Sequence, residues 1–179
     1  MALKPPEDVL DAVAAAVLPA RSVRGDLRWE QRERYHLTLQ FLGAVRELAP
    51  VVDALAAAAS DREAFAFQLG SAGAFPKPGR ARVVWIGAAR GGDDLMVLAG
   101  AVAGALRPVG YEPDRQAFHP HLTVARLKVP GNVADVLAAI GPGAVGEAFT
   151  AGEVLLYRSE LSSKGPTYTV LERFSLGNA

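Results

Sequence analysis

The chain has no cysteine, and only three of its 179 residues are histidine. Without thiols there is no disulfide, no zinc–thiolate site, no iron–sulfur cluster and no cysteine nucleophile. That absence suits a reducing cytoplasm. Net charge is absent too: 19 Lys and Arg balance 19 Asp and Glu. Broad nonspecific binders of nucleic acid carry a clear basic excess, so any nucleic-acid contact is expected to be local. No apolar run is long enough to cross a bilayer; Val51 to Ala59 is among the longest. Met1 to Lys4, followed at once by Pro5-Pro6, does not read as a signal peptide.

What is present is a core. Half the residues are hydrophobic, enough for one domain spanning 1–179 or two lobes sharing one interior. Pro5-Pro6-Glu7-Asp8 opens a helix with proline and acids in its first turn. Its stripe is Val9, Leu10, Val13, Val17 and Leu18, ending at Pro19. Residues 21–34 read as a flexible charged loop. Further helices are expected over 47–59, 93–106 and 133–140. Strands are expected over 35–42, 65–69, 82–87, 119–127, 149–158 and 166–174, the last two joined by a turn at Ser162-Ser163-Lys164-Gly165. The order of motif strand, helix, strand, strand occurs twice. This implies an α+β fold made of a duplicated unit, with two lobes facing each other.

Two of the three histidines stand in one repeated frame. "HLTL" begins at His36 and "HLTV" at His121. Side chains at i and i+2 of a strand share a face. His36 therefore projects with Thr38, and His121 with Thr123, while Leu37, Leu39, Leu122 and Val124 turn into apolar packing. Two imidazoles across one cleft suit cleavage of a phosphoester without a metal. A neutral ring takes a proton from water and a charged ring gives one to the leaving oxygen, each worth about 10²–10⁴ in rate. The hydroxyls can hold nonbridging phosphate oxygens. Read singly, either motif is an ordinary amphipathic strand; the duplication carries the inference.

The paired frames resemble the two His-x-Thr-x motifs of the two-histidine phosphoesterase superfamily. Within it the chain is similar to the bacterial and archaeal RNA 2',3'-cyclic phosphodiesterases, also called the 2'-5' RNA ligase family. "HLTLQFLG" (36–43), "FPKPGRARVVWIG" (75–87), "FHPHLTVARL" (118–127) and "YTVLERF" (168–174) follow that family's order. The resemblance implies a bilobal α+β fold, with two antiparallel sheets flanking a central cleft and helices outside. It implies His36 as proton donor to the leaving 3'-oxygen and His121 as the acceptor that activates water. Thr38 and Thr123 would grip the phosphate of an RNA end or cyclic nucleotide, and the product would be a 2'-phosphomonoester. Ligation, the reverse chemistry, would use the same groups. Neither a cofactor nor an obligate protein partner is implied, and a monomer is the default because one chain closes the cleft.

Arg126 matches a family arginine near the ligand. It lies out of phase with His121 and Thr123, so it reaches the site only through a bulge or from a strand end. Phe41, five residues after His36, could stack on a base or belong to the core. Arg21, Arg24, Arg28, Arg32 and Arg34, then Lys77, Arg80 and Arg82, form local basic clusters, read as solvated loops. Met1 to Lys4 leaves almost nothing of the family's opening strand. Two rivals remain: a zinc hydrolase using His36, His119 and His121, and a non-catalytic module that binds RNA ends or nucleotides. Chelation separates the first rival. Turnover of a nucleoside 2',3'-cyclic phosphate should survive thorough chelation and yield the 2'-phosphate, identified by chromatography against both isomers. Stoichiometric zinc in the active protein would refute this.

Overall fold

The computed structural model describes residues 1–112, 117–162 and 165–177, the side chain of Ser162 aside. Thirteen named elements matter here: β1 (Ala2–Leu3), α1 (Glu7–Val23), β2 (Arg28–Trp29), β3 (Leu37–Thr38), α2 (Leu48–Ser60), β4 (Phe65–Phe75), β5 (Ala81–Arg90), α3 (Gly92–Leu106), β6 (Leu122–Gly131), α4 (Ala134–Ile140), β7 (Val145–Ala151), β8 (Glu153–Ser162) and β9 (Gly165–Ser175). The strands run in the order β7-β4-β5-β6-β3-β1-β8-β9, and β2 pairs with β6. The pairings between these strands are antiparallel.

Two four-stranded halves are thus present, β7-β4-β5-β6 and β3-β1-β8-β9. They are joined edge to edge, rather than standing as separate sheets, through the pair Leu37↔Leu122. The residues on either side of that seam are the two motif strands. Both leucines are fully buried, as are Val124 and Tyr35 at 0% and 1% exposure. The alternation read from "YHLTL" is therefore real. Tyr35, Leu37 and Leu39 enter the core, leaving His36 and Thr38 on the other face.

The helices form because each offers one apolar stripe. In α1 this is Val9, Leu10, Val13, Val17 and Ala20, with Glu7 and Asp8 in the first turn. The helix runs through Pro19 to Val23 instead of stopping at the proline, held by burial of Ala20 and by the Arg24 amide on its carbonyl at 2.9 Å. Leu18 leaves the stripe and is 60% exposed. α1 packs on α4 and on β7, while α2 packs on α3 and β9. α1 follows a strand of one half and covers a strand of the other, so the halves interlock.

Two further departures from the sequence reading are instructive. The stretch 149–158 is two strands, not one. β7 pairs with β4, β8 pairs with β1 and β9, and the chain changes halves at Gly152. The Gly152 carbonyl is taken by the Leu176 amide at 2.8 Å. The segment 21–34 is ordered. Trp29 donates its indole N–H to the Arg24 carbonyl at 2.9 Å, Arg21 donates to the Glu30 carbonyl at 2.8 Å, and Arg32 pairs with Glu7 and Asp11. The opening strand survives as β1, two residues that bridge β3 and β8. Of the expected hairpin turn, Ser163 and Lys164 lie outside the described residues, and the ladder is traced to Ser162↔Gly165.

Because the seam rests on two fully buried leucines, Leu37→Ala or Leu122→Ala should each lower unfolding free energy by about 2–5 kcal/mol. Urea denaturation measures this; a loss below about 1 kcal/mol would show that the seam is not part of the cooperative core.

Candidate active site

The seam sets the geometry of the site. Extending the Leu37↔Leu122 register one residue each way places His36 opposite Thr123 and Thr38 opposite His121. Directly opposed side chains on one face are about 4.5–5.5 Å apart at Cβ, and diagonal neighbours about 7–8 Å. The two imidazoles are diagonal neighbours in this square, with a threonine beside each.

Both rings are anchored in the same way. His36 Nδ1 meets the Arg34 carbonyl at 2.7 Å, and His121 Nδ1 meets the His119 carbonyl at 2.7 Å. A carbonyl only accepts, so each Nδ1 must carry the hydrogen. Each Nε2 is then the ring nitrogen that this bond does not hold. It holds a lone pair when the ring is neutral and an N–H when it is charged. The chain supplies both anchors two residues upstream, so the duplication extends from side chains to backbone.

Aromatic rings surround each imidazole. Tyr168 and Tyr157 lie 5.0 and 6.0 Å from His36 between ring centres. Phe75 and Trp85 lie 5.0 and 6.4 Å from His121. Trp85 is opposite both Thr123 and Gly73. A Cβ on Gly73 would fall 2.3 Å from the indole, so glycine there lets the ring lie against the backbone. Burial pushes both histidine pKa values below the ordinary 6.5. The charge of Arg126 works in the same direction on both, and the carbonyl bonds oppose it. A pocket of about 600 Å³ opens beside His36, lined in part by Tyr35, Tyr157, Tyr168 and Arg173.

Arg126 reaches this face through a bulge. Val84 pairs with Ala125 and Trp85 with Thr123, so one step along β5 matches two along β6. The extra residue makes Val124 and Ala125 consecutive buried positions and turns Arg126 out on the side of His121 and Thr123. Its Nε donates to Glu30 at 3.2 Å. Phe41 is not a core residue; it is 68% exposed. His119 is exposed at the cleft edge, 4.9 Å from the Trp85 ring. Among the described residues, no three His, Cys, Asp or Glu side chains come together as a metal would require, so the set His36, His119 and His121 is not assembled. No helix among them is long and apolar enough to cross a membrane.

The sequence reading did not single out Tyr157, Tyr168, Phe75 and Trp85. Phe75, Trp85 and Tyr168 stand inside stretches quoted for the family likeness. A strand pattern shows that a residue faces one side; it does not show which ring it meets there.

Comparison with known proteins gives the chain a family and its fold close counterparts. The model of the 2'-5' RNA ligase superfamily matches residues 6–162. An RNA 2',3'-cyclic phosphodiesterase of Thermus thermophilus is 36% identical, the match covering 96% of this chain and 86% of the relative. One of Aeropyrum pernix is 34% identical, covering 90% and 89%. A crystal structure from Thermus thermophilus superposes with a TM-score of 0.84 at 30% identity, covering 99% of this chain and 96% of that one. Escherichia coli LigT complexed with 3'-AMP gives a TM-score of 0.72 at 25% identity, covering 98% and 95%.

The lowered histidine pKa values link stability to pH. In the unfolded chain both rings titrate near about 6.5. In the fold they hold a proton less tightly, so the unfolded state binds more protons over that window. The stability from keeping them neutral is complete above about pH 6.5 and is lost as pH falls through the lowered folded values. Urea midpoints should therefore drop between about pH 7.5 and about pH 5, and a His36→Asn, His121→Asn double variant should show a shallower drop. Equal drops would refute the assignment.

Proposed function

Because the chain belongs to the 2'-5' RNA ligase superfamily, we propose that it hydrolyses the 2',3'-cyclic phosphate of RNA ends or nucleotides to a 2'-phosphomonoester. The observation that carries this reading is the pair of carbonyl-anchored imidazoles, each beside a threonine, on one face of the seam. The relatives are named for that activity, which supports the same assignment here.

In this reading His121 Nε2, neutral, accepts a proton from water as its oxygen bonds to phosphorus. The bond from phosphorus to the 3'-oxygen breaks on the opposite side. His36 Nε2, charged, gives its proton to that oxygen, leaving a free 3'-hydroxyl and a 2'-phosphate. Thr38 and Thr123 donate to the nonbridging oxygens, and Arg126 offsets the charge that builds there. Aromatic walls shield both rings from bulk water, which strengthens these interactions. Exposed Phe41 is a stacking surface for a base. The 5'-hydroxyl of a second RNA end in place of water would give a 2'-5' linkage by the same proton transfers; abundant water favours hydrolysis. Both halves of the site come from one chain, which supports a single bilobal unit over 1–179 acting as a monomer. The absence of cysteine is in keeping with the cytoplasm.

His36→Ala and His121→Ala should each lower turnover about 10²–10⁴-fold with circular dichroism unchanged. Thr38→Ala and Thr123→Ala should cost about tenfold each, one phosphate contact being lost. The profile of kcat/KM against pH should be bell-shaped, since one ring must be neutral and the other charged. Both rings are held below 6.5 in the free protein, so the maximum should fall on the acid side of that value. Near-full activity in either histidine variant, or a maximum well above neutrality, would refute the pair.

A further inference from the structure

Two arginines of the basic cluster at 21–34 stand in regular structure rather than in a loop: Arg28, exposed, in β2, and Arg34, half-buried, in a 3-10 turn. Arg28 lies in β2 directly opposite Arg126 of β6. Opposed residues on neighbouring strands share a face, and like charges so placed repel. Arg28 is therefore on the face that carries His121, Thr123 and Arg126. Glu30 pairs with Arg126, and among the described residues no ion pair involves Arg28.

The β8–β9 hairpin brings Gly165 against the same group. A Cβ there would lie 2.6 Å from Arg34 Nη1 and 3.1 Å from Arg28 Nη2. Two guanidinium groups thus converge on a backbone position that has no side chain and a φ of +104°. Arg34 is also the residue whose carbonyl anchors His36. Its charge and that of Arg126 both act on Tyr168, whose ring stands 5.0 Å from His36. Arg28, Arg34 and Arg126 therefore border one patch beside the two imidazoles.

A cyclic phosphate carries one negative charge, and the threonines with Arg126 already meet it. We propose that Arg28 and Arg34 form a second phosphate subsite, which takes the phosphate on the 5' side of the nucleotide that bears the cyclic end. The proposal rests on the hydrolase reading above and deepens it. The preferred substrate is then a cyclic end carrying a further phosphate, either a phosphodiester of an RNA chain or a terminal 5'-phosphate. Guanidinium groups suit this role because their planar forks match phosphate oxygens two at a time. A bound phosphate also relieves the repulsion between Arg28 and Arg126.

The test compares three substrates on the full chain: adenosine 2',3'-cyclic phosphate, the same nucleotide with a 5'-phosphate, and a dinucleotide ending in the cyclic phosphate. Wild-type kcat/KM should be roughly tenfold higher for a substrate with the second phosphate. Arg28→Ala should bring that value down to the level of the one-phosphate substrate, whose own kcat/KM is unchanged. Arg28→Lys should restore part of the preference. A preference for both larger substrates means that a terminal phosphate suffices; a preference for the dinucleotide alone, lost in Arg28→Ala, assigns the subsite to an RNA chain. Equal wild-type rates on all three, or a loss in Arg28→Ala spread evenly over them, overturns the subsite while leaving the hydrolase reading intact. No wild-type turnover of any of the three overturns both.

Discussion

The antiparallel contact of Leu37 with Leu122 is the constraint on which the site depends. It is one residue pair long, yet it joins the two halves of the sheet and sets two motifs, 85 positions apart, in register. Its strength is hydrophobic. Each leucine is fully buried, worth about 1.5–3 kcal/mol of transfer free energy. A slip of one residue would turn the imidazoles into the core and the leucines into the cleft. The energy that stabilises the fold is therefore the same energy that aims the face carrying His36, Thr38, His121 and Thr123.

Within that frame each imidazole is held at Nδ1 by the carbonyl two residues upstream. The bond settles the tautomer and leaves Nε2 to the cleft. Burial, with the charge of Arg126, then biases both rings toward the neutral form. An anion entering the cleft reverses that bias, since a negative charge nearby favours the protonated ring. In the proposed reaction one ring can thus be charged beside the anion without a permanent carboxylate partner. Glu30, whose charge favours the protonated form of His36, is itself bonded to Arg126.

Much of this was legible in the sequence. The faces of His36, Thr38, His121 and Thr123 follow from period-two alternation, a local property of any strand. The helices over 47–59, 93–106 and 133–140 follow from their apolar stripes and match α2, α3 and α4 closely. Other features were not legible. Residues 149–158 carry one continuous strand pattern, but the chain passes to the other half at Gly152, because pairing partners and not local propensity decide which sheet a strand joins. The run 21–34 looked irregular because its order comes from side-chain bonds to distant backbone, such as Arg21 on the Glu30 carbonyl.

Sequence alone determined that His36 shares a face with Thr38 and His121 with Thr123, because residue type and a spacing of two set both facts. Only the tertiary structure decided that the two groups meet, and what meets them. The bulge at Val124 and Ala125 turns Arg126 onto the face of His121 and Thr123. The β2–β6 register sets Arg28 beside it, and the β8–β9 hairpin brings Tyr157 and Tyr168 against His36. These depend on register between strands far apart in the chain, and register is a property of the packed sheet, not of any one segment.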